Sequence, residues 1–133
     1  MSSSINIEAI KTAKAPQAIG PYSQAVVLEN LVFCSGQIPL DPNTGQIVKG
    51  DVQAQTHQVI KNIKSIIEAA KTDLDHVVKT TVFLTNLQNF NEMNKIYGEY
   101  FNKIFPARST VQVTGLPRGA MVEIEAIALI PKK

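Results

Sequence analysis

The chain has 133 residues, enough for one domain with its own core and too few for two domains of ordinary size, so residues 1–133 are predicted to form a single domain. The formal net charge is +2 and the only arginines are Arg108 and Arg118, which disfavours a nucleic-acid partner because domains that bind nucleic acid usually carry an arginine-rich basic stripe. The single cysteine, Cys34, excludes an intramolecular disulfide bond, and no apolar run approaches the ~20 residues of a membrane-spanning helix.

The first part of the chain is predicted to contain three short strands. The first fourteen residues lack the apolar core of a signal peptide and contain no arginine, so a cytoplasmic protein is expected. A strand is predicted near Ile5–Ile10, and the prolines and glycine of Ala15–Tyr22 indicate an irregular loop. Ala25–Leu28 and Leu31–Ser35 are apolar runs separated by two polar residues, a pattern typical of a β-hairpin.

The middle of the chain is predicted to contain two amphipathic helices with a strand between them. Asp51 can cap a helix that runs to about Lys71 and has one apolar face. Val77–Leu84 is predicted to be a strand. A second helix with an aromatic stripe is predicted over Phe90–Ile104, and Pro106 ends it.

Two strands are predicted at the end of the chain, Ser109–Val113 and Met121–Ile130, and Thr114–Gly119 is expected to join them as a hairpin loop. This order of elements predicts an α+β fold in which both helices pack on one face of a single mixed sheet.

The other face of this sheet is predicted to be covered by further copies of the chain. In the last strand, alternate residues from Val122 to Ile130 point towards the helices, and those from Met121 to Leu129 point away from them. The second set is also mostly apolar, and charged residues make up only 18% of the chain against a usual ~25%. We therefore expect this face to be buried against other subunits.

Two carboxylates on the last strand are the first candidates for chemistry. Glu123 and Glu125 point to one face of a strand that is otherwise mostly apolar. Burial of a carboxylate is costly and raises its pKa, which suits a general acid or base. The alternative is that each is satisfied by a lysine or a backbone amide across an interface.

Arg108 is the candidate for binding an anion. It follows the second helix where a strand begins, which directs its side chain towards a rim or cleft, and a guanidinium offers a planar fork to a carboxylate or phosphate. The alternative is a surface ion pair. Thr110 lies two residues further on and therefore shares the same side of the strand.

Weaker candidates lie at the end of a strand, in a loop and on the second helix. Gly36 ends the second hairpin strand and allows a ligand to approach the backbone closely, although a bulge or turn glycine is more common. Tyr22 can serve as a pocket wall or as a cover for the core. Asn94 lies off the apolar stripe of the second helix, where contact with solvent is the simpler interpretation.

The remaining reactive side chains give no further site. His57, His76 and Cys34 do not form a spacing typical of a metal site, and Cys34 within an apolar strand is most simply a small buried hydrophobe. A Cys–His nucleophile pair or a two-histidine ribonuclease has no positional support. The sequence contains neither a P-loop nor a GxGxxG motif, so no nucleotide cofactor is predicted.

Four segments, taken together, resemble one protein family. They occur in the order and spacing of the RidA family, also called YjgF/YER057c, and the likeness covers nearly the whole chain. Each motif alone is weak, whereas the ordered set is highly specific. The segments are Ala18-Ile19-Gly20-Pro21-Tyr22-Ser23-Gln24-Ala25, Ser35-Gly36-Gln37-Ile38-Pro39, Phe105-Pro106-Ala107-Arg108-Ser109 and Glu123-Ile124-Glu125-Ala126-Ile127-Ala128.

The resemblance implies a chorismate-mutase-like α+β fold that assembles as a homotrimer, with the sheets forming a central β-barrel and the active clefts lying between adjacent subunits. It also implies an enamine/imine deaminase, a hydrolase that converts 2-iminobutanoate and 2-iminopropanoate to 2-oxo acids and ammonia. Neither a cofactor nor a metal ion is implied.

The resemblance also assigns roles to individual residues. Arg108 matches the arginine that holds the substrate carboxylate, and Glu123 matches the glutamate proposed to position or activate the attacking water. Thr110 is a departure, since many members have cysteine there, but water can add to an oriented imine without a cysteine nucleophile and the threonine still offers a hydroxyl hydrogen bond. The remaining substrate-binding positions are Tyr22, Ser35, Gly36, Asn94 and Phe90.

Two other functions stay open at this stage. One is an endoribonuclease or translation inhibitor, which the low charge and scarce arginine disfavour. The other is a non-catalytic trimer, either chaperone-like or binding a 2-oxo acid through Arg108, and only turnover separates it from the deaminase. Chorismate mutase activity would share the fold but not the site.

Overall fold

The computed structural model describes residues 6–132, and its six strands and two α-helices follow the predicted order. Three short 3₁₀ turns connect them, and part of the strand predicted near Ile5 lies outside the described residues. The elements are β1 (Ile7–Ile10), β2 (Ala25–Leu28), β3 (Leu31–Gln37), α1 (Val52–Ala69), β4 (Val77–Leu84), α2 (Phe90–Tyr100), β5 (Ala107–Gln112) and β6 (Val122–Leu129).

The six strands form one mixed sheet in the order β1-β2-β3-β6-β4-β5. Only β4 and β5 run parallel, since α2 forms the crossover between them. The predicted α+β architecture is confirmed. The predicted hairpin between the last two strands is wrong, because β4 lies between β5 and β6 and pairs with both. The apolar β6 takes a central place, and the more polar β5 forms an edge.

The predicted N-terminus of the first helix is confirmed, and both helices end earlier than predicted. Asp51 caps α1 as expected, with its Oδ1 accepting from the Ala54 amide at 3.0 Å. This helix ends at Ala69 rather than near Lys71, which has a positive φ of 71°. The second helix, α2, ends at Tyr100 rather than at Ile104, which is 79% exposed.

The hydrophobic core lies between the helices and one face of the sheet. Isoleucines of α1, Met93 and Tyr97 of α2 and alternate residues of β6 such as Val122 and Ile124 form one buried cluster. A buried amide connects α1 to the chain after β3: Asn62 donates to the carbonyls of Ile38 (3.3 Å) and Leu40 (2.9 Å). These two hydrogen bonds fix the loop that follows Gly36. No helix within residues 6–132 is long and apolar enough to cross a bilayer.

The opposite face of the sheet is open in a single chain. Phe33 and Val111 on this face are 39% and 42% exposed, and Glu123, Ile127 and Leu129 are partly buried there. The expectation that other subunits cover this face stays a prediction.

Candidate active site

Arg108 is held on the helix-covered face of the edge strand β5. Its register partner on β4 is the buried Thr80, so both side chains lie on the side of α2. Its Nη1 donates to Oδ1 of Asn94 at 2.7 Å. The guanidinium carbon lies 4.7 Å from the ring centroid of Tyr97 and 5.4 Å from that of Phe90, which are cation–π distances.

The guanidinium of Arg108 is available to an anion. Within residues 6–132, the pairs of basic and acidic groups closer than 4.0 Å are Lys64–Glu68 and His76–Asp73, so no described carboxylate neutralises Arg108. A concave pocket opens beside it, and Phe105 contributes a ring that is 76% exposed. The alternative of a surface ion pair therefore does not hold for the described part of the chain. The pocket is lined by Asn94, Tyr97, Gly98, Phe105, Pro106 and Arg108.

Thr110 adds an unused hydroxyl two residues from Arg108. Its Oγ1 is buried and has no hydrogen-bond partner among the described residues. An unpaired buried hydroxyl is unfavourable, so this atom lacks a hydrogen bond that the described chain does not supply.

Glu123 lies in a second groove together with Tyr22, Gly36 and Pro117. The pKa of Glu123 is raised above 4.5, first by burial and second by the negative charge of Glu125. A carboxyl group with a raised pKa accepts a proton more readily than an exposed carboxylate does, as a general base requires.

The backbone at Gly36 makes room for Glu123. Strand β3 contains a bulge between the pairs Cys34–Ala126 and Gln37–Ile124, where Ser35 and Gly36 lie opposite a single residue of β6. A Cβ on Gly36 would lie 2.9 Å from Cδ and 3.2 Å from Cγ of Glu123, closer than a normal contact. An alanine here would therefore force the carboxyl group of Glu123 out of its present position.

The loop that carries Tyr22 is fastened by polar side chains. Ser35 Oγ donates to the carbonyl of Ser23 at 2.6 Å, so this hydroxyl supports the loop instead of facing the groove freely. The buried Gln24 donates to the carbonyl of Pro16 at 2.7 Å and accepts from the amide of Thr12 at 2.7 Å. Tyr22 itself is 55% exposed.

The predicted site residues form two groups that do not meet within one chain. The strands of Arg108 and Glu123 flank β4, where their register partners are Thr80 and Phe83. Strand spacing and rise put the two Cα atoms about 14 Å apart, and the odd offset of three residues along β4 directs the side chains to opposite faces. Arg108, Asn94, Phe90 and Thr110 form one group, and Tyr22, Gly36 and Glu123 form the other, with Ser35 supporting its loop.

The other reactive side chains have structural roles. His57 Nδ1 lies 2.8 Å from the Tyr100 hydroxyl, and His76 lies 2.7 Å from Asp73. Burial raises the pKa of Cys34 to about 12, so this thiol is not a nucleophile near neutral pH. Within residues 6–132, no group of three or more His, Cys, Asp or Glu is placed to hold a metal ion.

Sequence reasoning missed Tyr97 and Thr80. Tyr97 counted only as part of the apolar stripe of α2, yet its hydroxyl lies 2.7 Å from Thr80 Oγ1 and its ring lies beneath Arg108. Burial raises the pKa of Tyr97, while the Thr80 hydrogen bond and then Arg108 act against that rise. The available signal was a tyrosine on a buried stripe, since a buried phenol needs a hydrogen-bond partner.

Comparisons with known proteins find relatives that carry several different names. A family model described as Endoribonuclease L-PSP matches residues 12–130. A RutC family protein of Pyrococcus abyssi is 54% identical over 121 residues, which are 91% of this chain and 95% of that protein. The 2-iminobutanoate/2-iminopropanoate deaminase of Homo sapiens is 50% identical over 127 residues, 96% of this chain and 93% of that protein. The crystal structure of E. coli TdcF with bound serine matches with a TM-score of 0.88 at 45% identity, covering 92% of this chain and 98% of that chain.

Proposed function

Because the chain belongs to the Endoribonuclease L-PSP family, also known as the YjgF/RidA family, we propose that it is a hydrolase that converts 2-iminobutanoate and 2-iminopropanoate to 2-oxo acids and ammonia. The resemblance to the RidA family is thereby confirmed. The deaminase name of the human relative supports the proposed reaction.

The uncompensated guanidinium of Arg108 carries this proposal. A 2-imino acid presents a carboxylate next to its C=N carbon, and Arg108 binds that carboxylate through two parallel charge-assisted hydrogen bonds. The described neighbours of the guanidinium are the Asn94 amide and two aromatic rings, and none of them is acidic. Binding a substrate carboxylate therefore does not require an existing ion pair to break. The serine bound to E. coli TdcF is a small molecule that also has a carboxylate.

Glu123 supplies the proton transfers. It accepts a proton from a water molecule as the water oxygen forms a bond to the imine carbon and the C=N π electrons move to nitrogen. The protonated Glu123 then returns the proton to the nitrogen of the carbinolamine. The C–N bond breaks as the hydroxyl proton of the carbinolamine passes through Glu123 to the departing nitrogen, so ammonia leaves and the C=O bond of the 2-oxo acid forms. The raised pKa of Glu123 suits both steps, and only water is consumed.

Two copies of the chain assemble the site in this proposal. Arg108 and Glu123 leave one sheet on opposite faces, so neither side chain can reach the other without a second subunit. A neighbouring copy that places its Arg108 pocket against the Glu123 groove completes the set. A homotrimer with the chorismate-mutase-like arrangement, in which the open sheet faces form a central β-barrel, meets this need and covers Phe33 and Val111.

The remaining site residues orient the substrate and keep water away from it. Phe90 and Tyr22 form aromatic walls. Thr110 offers its unpaired hydroxyl to the substrate, and Gly36 brings the backbone close to the carboxyl group of Glu123. Asn94 acts through Arg108, since its amide oxygen accepts from the guanidinium.

The test is a coupled assay. A threonine dehydratase generates 2-iminobutanoate in place, and the release of 2-oxobutanoate is followed with and without the protein, with the uncatalysed rate subtracted. Arg108→Ala should lower kcat/KM about 10²-fold or more, since two hydrogen bonds to a charged group are lost. Arg118→Ala is the matched control, because the Arg118 guanidinium donates only to the Gly45 carbonyl among the described residues, and it should leave the rate unchanged.

The outcomes separate this proposal from its competitors. Acceleration by the parent protein that disappears in Arg108→Ala supports the deaminase. If the folded oligomer binds 2-oxobutanoate through Arg108 but gives no acceleration, the protein is a non-catalytic 2-oxo-acid binder. RNA cleavage that survives physiological salt, without imine turnover, would establish the endoribonuclease instead.

A further inference from the structure

A buried pair of hydroxyl groups lies directly beneath the proposed anion site. The phenol of Tyr97 on α2 and the hydroxyl of Thr80 on β4 are 2.7 Å apart, and the two residues are 5% and 0% exposed. Each hydroxyl is the other's hydrogen-bond partner. The pair therefore ties the middle of α2 to the sheet at one defined point.

The same pair sets the surface on which Arg108 rests. Thr80 is the register partner of Arg108 across the parallel β4–β5 ladder, and the Tyr97 ring lies 4.7 Å from the guanidinium carbon. The ring also packs against that of Phe101, at 4.5 Å between ring centroids. With its hydroxyl anchored and Phe101 packed against it, the ring cannot tilt or slide freely, so the guanidinium above it has a fixed plane.

We propose that Tyr97 and Thr80 are positioning residues that aim the Arg108 guanidinium, with Asn94 fixing its rotation within that plane through the 2.7 Å bond to Nη1. Bidentate binding of a carboxylate depends on the orientation of the planar fork, so the hydroxyl pair acts on affinity for a carboxylate without touching it. The value of this arrangement for catalysis rests on the proposed role of Arg108 in imine hydrolysis.

A matched double variant separates positioning from packing. Thr80→Val combined with Tyr97→Phe removes both hydroxyls at nearly constant shape, and removing both partners of a buried hydrogen bond together can be close to neutral for stability. The ring and the core packing remain, while the anchor of the ring is lost. Tyr97→Leu removes the ring itself, and Tyr100→Phe is the control on the same helix, because the Tyr100 hydroxyl bonds to His57.

The two arginines allow a direct spectroscopic measurement. The Nε–H signal of Arg108 should be shifted by the Tyr97 ring current, and that of Arg118 serves as an internal reference. In the double variant and in Tyr97→Leu, we expect the Arg108 signal to move towards that of Arg118 and the Kd for 2-oxobutanoate to rise. In Tyr97→Leu, where the cation–π contact itself is lost, the rise should be about tenfold. The thermal midpoint of the double variant should stay within a few degrees of the parent.

An unchanged Arg108 signal and an unchanged Kd in the double variant would overturn the proposal. A changed signal supports it even if the parent protein fails to accelerate imine hydrolysis, in which case the deaminase proposal alone fails. If the parent is active and the variants keep the parent signal and affinity, the deaminase proposal stands and the positioning role is rejected. Tyr100→Phe should match the parent in every measurement.

Discussion

Replacing Gly36 by alanine tests how closely Glu123 approaches the backbone. A Cβ at this position would lie 2.9 Å from Cδ of Glu123, whereas carbon atoms in normal contact are about 3.5 Å apart. The carboxyl group must therefore retreat by about 0.6 Å or more. Because a displacement of ~1 Å at a reacting group can cost ~10²-fold in rate, we expect kcat/KM to fall between about tenfold and 10²-fold.

The stability of Gly36→Ala should change little. Gly36 does not adopt a positive φ, so alanine meets no backbone strain there, and the clash is with a side chain that can rotate. The gain in strand propensity and the cost of the contact should leave the free energy of unfolding within about 1 kcal/mol of the parent. Gly115→Ala is the matched control, since an added Cβ there meets no atom within 4 Å.

The assay is the coupled imine hydrolysis, carried out as a double-mutant cycle with Glu123→Ala. In that background the clash is absent, so adding Gly36→Ala should cost almost nothing, and the two effects should be strongly non-additive. Full activity in Gly36→Ala would refute the reasoning. An equal loss in both backgrounds would also refute it, since Gly36 would then act independently of Glu123.

Four further predictions concern polar and titratable side chains. Glu125→Gln removes the charge that, second to burial, raises the pKa of Glu123, so the acid limb of the pH profile of kcat/KM should move to lower pH; a fixed limb would contradict this cause. A carboxyl group whose pKa is raised in the folded state contributes stability that is present below pH 4.5 and lost as the pH rises through the folded-state pKa. Glu123→Gln should therefore raise the free energy of unfolding at pH 7 and leave it nearly unchanged at pH 4. Asn62→Ala leaves two backbone carbonyls without their donor and should cost about 2–3 kcal/mol in urea unfolding at fixed protein concentration; a loss below the error of the measurement would contradict the bond. Cys34, whose pKa is raised to about 12, should react with a disulfide reagent at pH 8 only after unfolding in guanidinium, and rapid reaction of the native protein would show that the thiol is exposed.

Local patterns in the sequence predicted most elements of the fold. Asp51 was identified as a cap because a carboxylate before an apolar periodic segment can accept from the first free amides, and it does so. The strand Val77–Leu84 was predicted with its observed bounds. Pairing between strands was harder, because alternation shows that β5 and β6 are strands but does not determine which neighbour each one takes. The hairpin predicted between them was wrong for this reason.

The site was predictable from the sequence only in part. Residues such as Arg108 and Glu123 stand out by their type and position, but their surroundings depend on contacts that are distant in sequence. Asn94 looked like a solvent-facing residue because its partner, Arg108, lies fourteen residues away. Tyr97 was assigned to an apolar stripe because hydrophobic periodicity counts its ring and takes no account of its hydroxyl. The division of the site into two faces required the strand register.

Complementation tests whether one active site is assembled from two copies of the chain. Arg108→Ala and Glu123→Ala chains are purified separately, mixed in equal amounts, unfolded and refolded together, and tested in the imine assay. Each variant alone should be nearly inactive. In randomly mixed oligomers about a quarter of the interfaces join an intact Arg108 to an intact Glu123, so about a quarter of the parent activity should return. If mixed oligomers form and no activity returns, the site does not draw Arg108 and Glu123 from different chains, and assembly of the site from two copies is ruled out.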